Sequence, residues 1–338
     1  MEIIDNKAVL IRTRSPSKYD IIPRSKYVGE TDEGMHEVLV YWGLDEMRVL
    51  RNLGVKKAPS PINKSYDWPG KYKPFAHQRE TASFLTLHRR AFCFNEPGTG
   101  KSMATLWAAD YLMNRGDVRR ALIICPLSIM ETAWRADLVR SVMHRSCVIA
   151  HHSSAERRKE MVRNNYDFVI TNYDGLGILS DEIIKDGTFD LIVVDEAVAY
   201  KNANTSRWKT LQKIINPQTI LWMLTGTPAA QSPMDAFGLA RLVNPNGVPK
   251  YMTAWRDKVM YKATQYKWAP KEGSKDVVFA ALQPAIRFTK AECLDLPPVL
   301  TEARDVPLTA QQKKYYKLLK EQLVMEAAGE DRKSTRLN

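Results

Sequence analysis

The sequence predicts an α/β fold in which helices cover both faces of a parallel sheet, preceded by a small α+β module. Three observations predict it. From about residue 74 onward, short apolar segments alternate with longer segments of helical periodicity, which is typical of parallel strands buried on both faces. Residues 1–70 follow a different pattern, and no internal repeat divides the chain. A cluster of prolines separates the two regions and indicates a linker.

The N-terminal module is predicted from two short segments. Apolar residues alternate over 36–42 (HEVLVYW), which is the period of a half-buried strand. Residues 45–53 have a helical pattern, and Gly54 is a suitable residue to end that helix. We therefore assign residues 1–70 to an accessory module and its linker.

The larger region contains six apolar segments that predict strands: Ala91–Phe94, Ala121–Cys125, Cys147–Ala150, Phe168–Thr171, Leu191–Val194 and Thr219–Leu224. Segments between them predict helices: Lys101–Asn114, Ile129–Arg140, Ala155–Arg163 and Thr205–Ile215. Ligands bind such sheets at the carboxyl ends of the strands. The residues that follow each strand are therefore the candidate functional residues.

The composition favours some classes of protein over others. The net charge of +12 in 338 residues favours nucleic acid as a partner, because basic side chains that neutralise phosphates release counterions. A solvated basic surface is the alternative. No segment approaches the roughly 20 apolar residues of a membrane span, and the first ten residues lack a signal-peptide core. We therefore expect a cytoplasmic protein without membrane contact.

The strongest functional pattern is the segment 94–102 (FNEPGTGKS), which follows a predicted strand and opens a predicted helix. Its two glycines allow main-chain N–H groups to close around a phosphate chain, and the helix N-terminus adds a positive dipole end. Lys101 would reach the β- and γ-phosphates of ATP, and the Ser102 hydroxyl would bind Mg²⁺. The cofactor-binding residues of this phosphate loop (residues 95–102) are predicted to be Pro97, Gly98, Thr99, Gly100, Lys101 and Ser102.

Two carboxylates follow another predicted strand. Residues 190–197 (DLIVVDEA) place Asp195 and Glu196, the acidic pair, directly after four apolar residues. In such a pair one carboxylate can hold Mg²⁺ while the next polarises an attacking water. Acidic residues often end strands without any function, but together with the phosphate loop they predict one catalytic site of Lys101, Asp195 and Glu196.

A third pattern, residues 224–228 (LTGTP), also follows an apolar strand. Alone, it could be a turn in which a threonine caps a helix. Together, the three patterns resemble motifs I, II and III of superfamily-two helicases, specifically the Swi/Snf-like branch and its phage-borne members. Other segments resemble further motifs of that branch in the same order: residues 75–78 (FAHQ), 124–128 (ICPLS) with Trp134, 170–173 (ITNY) and 296–298 (LPP).

This resemblance implies a RecA-like ATP-binding lobe over residues 71–308, with nucleic acid, above all double-stranded DNA, as partner in a bacterial or phage-infected cell. It implies that Gln78 contacts adenine, that Ser102 and Asp195 are Mg²⁺ ligands, and that Glu196 is the catalytic base. The residues implied to couple ATP to nucleic acid are Thr225, Gly226 and Thr227, here the threonine segment. The implied nucleic-acid contacts are Pro126, Leu127, Ser128, Thr171, Asn172 and Tyr173.

The resemblance also implies a second RecA-like lobe, whose arginines would complete the ATP site. We expect residues 309–330 to begin the connection to that lobe, which is missing from this chain. This polypeptide is therefore expected to bind ATP weakly and to hydrolyse it poorly. Residues 331–338 (DRKSTRLN) resemble the translation of a sequencing adapter, so we expect the natural gene to differ after about Glu330.

Several functions remain open at this point. The leading hypothesis is a DNA-stimulated ATPase that moves along or remodels duplex DNA. A strand-separating DNA or RNA helicase would carry the same motifs, and a truncated lobe could bind nucleotide and nucleic acid without turnover. A phosphate-loop kinase or transport ATPase is disfavoured, because it does not need the segments 126–128 and 225–228.

Overall fold

The computed structural model describes residues 1–55, 57–229, 232–265, 267–293, 302 and 304–334. It contains two compact units, Met1–Leu294 and Asp295–Asn338. The segment 296–298 and the final residues 335–338, on which two of the predictions rest, lie outside the described residues. All site residues discussed below belong to the first unit.

The N-terminal module is an antiparallel sheet of four strands in the order β1-β2-β4-β3. The strands are β1 (Glu2–Ile4), β2 (Ala8–Thr13), β3 (Ser25–Glu30) and β4 (His36–Tyr41). Helices α1 (Leu44–Asn52) and α2 (Ile62–Ser65) follow. The predicted strand at 36–42 and helix at 45–53 correspond to β4 and α1, whereas the other three strands have no clear sequence pattern.

A seven-stranded parallel sheet forms the centre of the first unit. In chain order the remaining strands are β5 (Arg90–Cys93), β6 (Arg120–Cys125), β7 (Cys147–Ile149), β8 (Phe168–Asn172), β9 (Phe189–Val194), β10 (Ile220–Leu224), β11 (Met260–Lys262), β12 (Trp268–Pro270) and β13 (Ala285–Ile286). The sheet order is β13-β5-β10-β9-β6-β8-β7, and β11 and β12 form a separate hairpin.

The remaining helices are α3 (Ala76–Leu87), α4 (Lys101–Asn114), α5 (Ala136–Ser141), α6 (Ala155–Arg163), α7 (Tyr173–Asp186), α8 (Ser206–Ile214), α9 (Ala236–Val243), α10 (Met252–Val259), α11 (Ser274–Ala281), α12 (Lys290–Cys293) and α13 (Ala310–Ser334). The predicted helix Ile129–Arg140 is divided into a π-helical turn, Met130–Arg135, and α5. Among the described residues, no helix is long and apolar enough to span a bilayer.

Alternate residues of the central strands enter two different cores. Ala91 and Cys93 of β5 belong to a core shared with α3, α4, α5 and the N-terminal module. Phe92 belongs to a second core shared with α7, α8, α9 and α10. Because successive strand side chains point to opposite faces, this division shows that helices cover both faces. The predicted α/β class with a parallel sheet is confirmed.

The N-terminal module is packed directly on the larger region. The Arg48 guanidinium of α1 donates to the Thr86 carbonyl of α3 at 3.0 Å, and the Trp107 indole of α4 donates to the Pro69 carbonyl at 2.9 Å. The rings of Trp68 and Trp107 meet edge to face. The module and its linker therefore brace α4, the helix that follows the phosphate loop.

Candidate active site and nucleic-acid interface

The strand order brings the predicted site segments to one edge of the sheet. The phosphate loop, the threonine segment and the acidic pair follow β5, β10 and β9, which are adjacent strands. Residues 126–128 follow β6, and Asn172 ends β8, so the predicted nucleic-acid segments occupy the next positions along the same edge. This is the carboxyl edge, where parallel α/β sheets bind their ligands.

The phosphate loop has the backbone conformation that its glycines permit. Gly98 and Gly100 have φ angles of +88° and +77°, values that residues with a Cβ rarely adopt. A Cβ at position 100 would also collide with the Gln78 side-chain amide. Lys101 and Ser102 then open α4 with half-exposed side chains. Within the described part of the chain, neither side chain has a hydrogen bond or an ion pair.

The start of α3 holds the phosphate loop from behind. The Gln78 amide donates to the Thr99 carbonyl at 3.2 Å, and the His77 Nε2–H donates to the same oxygen at 2.9 Å. Gln78 Oε1 accepts from the Phe75 N–H at 3.0 Å. The structure thus places Gln78 beside the loop, whereas its contact with adenine stays a prediction. Sequence reasoning missed His77, although it precedes Gln78 directly.

Asn95 is a second residue whose role the sequence did not reveal. It stands where the resembling family usually has the first glycine of the loop, and it is 1% exposed. Its Nδ2 donates to Thr81 Oγ1 at 2.9 Å, and its Oδ1 accepts from the Phe288 N–H at 3.0 Å. Asn95 therefore joins the loop to α3 and to the segment after β13, which is remote in sequence.

The acidic pair lies in a dense network of donors. Asp195 is 6% exposed; its Oδ2 accepts from the Trp134 indole at 2.9 Å and its Oδ1 from the Glu196 N–H at 2.9 Å. The Tyr173 hydroxyl donates to the Asp195 carbonyl at 2.7 Å. Glu196 has a φ angle of +45°, a sparsely populated conformation that clusters at functional sites.

The threonine segment touches both other parts of the site. Thr225 is fully buried, and its Oγ1 donates to Glu196 Oε2 at 3.4 Å. A Cβ at Gly226 would lie 2.9 Å from Pro97 Cδ, so the segment passes close against the phosphate loop. The Thr227 N–H donates to Thr225 Oγ1 at 3.4 Å. The three motifs thus form one contiguous site.

The buried thiol of Cys93 lies close to the charged groups of this site. Burial raises the pKa of Cys93, in β5, to about 11. A hydrogen bond with the Asn95 backbone and the positive charge of Lys101 act to lower this pKa, and the negative charge of Asp195 acts to raise it. Both charges therefore act at the carboxyl end of the same strand. Burial also raises the pKa of Cys125, with Asp195 as the second cause.

These residues fit a nucleotide with a divalent cation. Each Asp195 carboxylate oxygen accepts one hydrogen bond, which leaves lone pairs for a cation or its water ligands. Lys101 has no competing carboxylate among the described residues, and the two left-handed glycines open the loop main chain toward an anion. A phosphate chain and Mg²⁺ match this donor and acceptor set.

The predicted nucleic-acid residues differ in exposure. Leu127 is 54% exposed and Ser128 is also exposed. Asn172 and Tyr173 are half-buried, and the Asn172 side chain caps α7 by accepting from the Gly175 N–H at 3.2 Å. Thr171, however, is fully buried because it lies inside β8, so its side chain offers no surface. The predicted contact of that segment is therefore restricted to Asn172 and Tyr173.

Comparisons with known proteins bear on this site. The family described as "SNF2-related domain" matches residues 77–338, a range that includes the phosphate loop, the acidic pair and the threonine segment. The chain belongs to the SNF2-related domain family. The resemblance to the Swi/Snf-like branch is thereby confirmed. Strands β1–β4 of the N-terminal module precede residue 77, where the SNF2-related domain begins.

Similar proteins support the assignment. A Caenorhabditis elegans homologue of SWI/SNF-related matrix-associated actin-dependent regulator of chromatin subfamily A-like protein 1 is 27% identical over 198 residues, 58% of this chain and 28% of that protein. Putative protein p41 of Acyrthosiphon pisum secondary endosymbiont phage 1 is 23% identical over 270 residues, 75% of this chain and 59% of that protein. This SNF2-related chain therefore spans only part of the length of these relatives.

A solved structure shows the same fold. The Sulfolobus solfataricus SWI2/SNF2 ATPase core in complex with dsDNA has a TM-score of 0.56 and 21% sequence identity, covering 67% of this chain and 46% of that chain. At this identity the likeness concerns the fold, and it confirms the predicted RecA-like α/β architecture of the SNF2-related domain.

Proposed function

We propose that this SNF2-related domain is the ATP-binding lobe of a nucleic-acid-dependent ATPase that couples ATP hydrolysis to movement on double-stranded DNA. One observation carries the proposal: the phosphate loop, the acidic pair and the threonine segment are in direct contact at the carboxyl edge. A structure with the same fold is described as a complex with dsDNA, which supports that partner. We place the activity in the cytoplasm of a bacterial or phage-infected cell, as the phage relative supports.

The residues of the site divide the chemistry among them. The loop N–H groups and Lys101 bind the phosphate chain, and Gln78 contacts the adenine. Ser102 and Asp195 would hold Mg²⁺, which when bound neutralises charge on the phosphates. Glu196 is the general base, and it accepts the proton of the attacking water at its carboxylate. The hydrogen bond from Thr225 to Glu196 Oε2 orients that carboxylate.

The open part of the edge contacts the nucleic acid. Leu127 and Ser128 have main-chain N–H groups and Ser128 adds a hydroxyl, while Asn172 and Tyr173 have polar side chains. Such groups commonly bind the phosphate backbone. The net charge of +12 attracts a polyanion over longer distances. The threonine segment, in contact with both phosphate loop and acidic pair, couples the two ligands.

Nucleotide binding is tested with Lys101→Ala and the matched control Lys26→Ala, an exposed lysine in β3. Removal of a charge-assisted hydrogen-bond donor corresponds to about 10- to 100-fold weaker binding. We expect that loss for Lys101→Ala and none for Lys26→Ala, measured by fluorescence anisotropy of a labelled ATP analogue. Equal affinity of Lys101→Ala and wild type would contradict the assigned phosphate loop.

Nucleic-acid binding is tested with Leu127→Glu and the control Val28→Glu, which are 54% and 55% exposed before substitution. A carboxylate beside the phosphate backbone should lower the affinity for labelled duplex DNA by about tenfold. The same change in β3 should have little effect on that affinity. Unchanged affinity for Leu127→Glu would exclude this edge as the interface. Competition with duplex RNA distinguishes DNA from RNA as the partner, and displacement of a labelled strand from forked DNA would indicate a strand-separating helicase.

A further inference from the structure

Two side chains connect the predicted nucleic-acid segments to the acidic pair. Trp134 is fully buried, and its indole N–H donates to Asp195 Oδ2 at 2.9 Å. The Tyr173 hydroxyl donates to the Asp195 carbonyl at 2.7 Å and lies 3.4 Å from the Glu196 carbonyl. Trp134 follows the segment 126–128 closely in the chain, and Tyr173 belongs to the other segment. The segment with Tyr173 thus contacts the main chain of the acidic pair directly, and the segment 126–128 is connected to the Asp195 carboxylate through Trp134.

We propose that Trp134 and Tyr173 are positioning residues that transmit the occupancy of the nucleic-acid segments to Asp195 and Glu196. This inference rests on the proposed function, since it assumes that the edge binds both ligands. It adds a route of coupling that does not pass through the threonine segment.

The first connection runs through a π-helical turn. The Ile129 N–H donates to the Pro126 carbonyl at 3.2 Å, and Thr132 Oγ1 donates to the Ser128 carbonyl at 3.0 Å. Residues Met130–Arg135 then form the π-helix that contains Trp134, a rare conformation that is frequent at functional sites. Because the Trp134 ring is fully enclosed in a close-packed core, a shift of residues 126–128 must displace the indole or strain its packing.

The second connection is short and fixed at both ends. The Tyr173 ring packs edge-on against Tyr200, with ring centroids 5.7 Å apart, and the Arg207 guanidinium lies 4.9 Å from the Tyr173 centroid. The side chain of Asn172 caps α7, which begins at Tyr173. A phosphate group that engages Asn172 would therefore act on the position of the adjacent Tyr173 hydroxyl.

Both connections end at groups that set the geometry of the acidic pair. The indole bond fixes the rotation of the Asp195 carboxylate, because Oδ2 can keep that bond in only a narrow range of orientations. The Tyr173 hydroxyl contacts the carbonyls on either side of the Glu196 Cα, where the φ angle is +45°. A strained conformation persists only when its surroundings hold it, so these contacts determine where the Glu196 carboxylate lies.

The experiment compares Trp134→Phe and Tyr173→Phe with the control Trp255→Phe in this 338-residue chain. Trp255 is also fully buried, and its indole donates to the Pro233 carbonyl at 3.2 Å instead of to the acidic pair. The affinity for a fluorescent ATP analogue is measured with and without Mg²⁺, and with and without saturating duplex DNA. Circular dichroism melting verifies that each variant is folded.

Removal of a hydrogen-bond partner of a metal ligand typically weakens metal affinity by about 10- to 100-fold. For Trp134→Phe we expect the tightening of nucleotide binding by Mg²⁺ to fall by about tenfold, with unchanged Mg²⁺-free affinity. For Tyr173→Phe we expect loss of the change in nucleotide affinity that saturating DNA causes in the wild type. Trp255→Phe should match the wild type in both respects.

If Mg²⁺ and DNA change the nucleotide affinity of Trp134→Phe and Tyr173→Phe as much as they change that of the wild type, the inference is overturned and the proposed function stays intact. A wild-type chain that binds neither ligand would overturn the proposed function itself, and this inference with it. If Trp134→Phe does not fold, Tyr173→Phe decides, because it removes only a hydroxyl. The change in DNA affinity on adding nucleotide must equal the change in nucleotide affinity on adding DNA, which verifies each measured coupling.

Discussion

The two halves of the carboxyl edge are built differently. In the nucleotide half, after β5, β10 and β9, Asn95, Thr225 and Asp195 are all buried, and the segments bond to one another. In the nucleic-acid half, after β6 and β8, Leu127 and Ser128 are exposed. Trp134 and Tyr173 of this half donate hydrogen bonds to the acidic pair.

This difference corresponds to what each half is proposed to bind. A phosphate chain is small and needs donors at fixed positions, which a site cross-linked by buried hydrogen bonds provides before the ligand arrives. A duplex is large and is contacted mainly along its backbone, so exposed segments suffice. The lesson is that the nucleotide half depends on the integrity of the fold beneath it, whereas the nucleic-acid half depends on its surface.

The largest expected effect concerns the support of the nucleotide half by α3, whose first residues hold the phosphate loop and whose C-cap residue is His88. Burial lowers the pKa of His88 from 6.5 to about 4, although its hydrogen bond to the Phe84 carbonyl opposes the shift. The folded state therefore resists protonation, and the unfolded state binds the proton first as pH falls below 6.5. This contribution to stability is complete above pH 6.5 and is lost as pH falls toward 4, by about 3 kcal/mol.

Urea denaturation at several pH values between 7 and 4 measures this slope. The variant His88→Gln cannot be protonated, so its free energy of unfolding should fall less steeply over the same range. Identical slopes for the variant and the wild type would show that His88 is not the group responsible.

A smaller effect is the difference in nucleotide affinity expected between alanine variants of the two glycines of the phosphate loop. Gly100→Ala meets both a left-handed φ angle and the Gln78 amide, whereas a Cβ at Gly98 meets only Lys290 Cε at 3.5 Å, an ordinary contact. The left-handed conformation alone corresponds to about 5- to 30-fold weaker binding. We expect that loss for Gly98→Ala and about 30- to 100-fold for Gly100→Ala, measured with a labelled ATP analogue. A larger loss for Gly98→Ala would contradict the close approach of Gln78.

The smallest effect is expected at Thr171. Its Oγ1 is buried and has no hydrogen-bond partner in the part of the chain that the structure describes. Thr171→Val replaces the hydroxyl by a methyl group of similar size, so stability should stay equal or rise by up to about 1 kcal/mol. Duplex DNA affinity should not change, whereas Asn172→Ala should weaken it and lose about 1 kcal/mol from the helix cap. Thermal melting measures the stability of both variants, and DNA titration measures their affinity for duplex DNA. Weaker DNA binding by Thr171→Val would show that Thr171 is a contact after all.

Much of the site was predictable because its patterns are local. Glycine spacing and a lysine at the start of a helix define the phosphate loop within residues 95–102, and an apolar run that ends in two acids defines the acidic pair. Continuous apolar segments also located six of the seven strands of the sheet to within two residues, whereas β13 was not predicted. Thr171 shows the limit of such reasoning, because the motif pattern did not show which residue of its segment is buried.

The sequence by itself determined which residue types could bind a phosphate chain and a cation, and that they follow strands of a parallel sheet. Only the tertiary structure decided which strands are neighbours, and therefore that the threonine segment lies between the phosphate loop and the acidic pair. It alone joined Asn95 to Phe288 and Trp134 to Asp195. These contacts link residues far apart in the chain, and their existence depends on packing that no local period encodes.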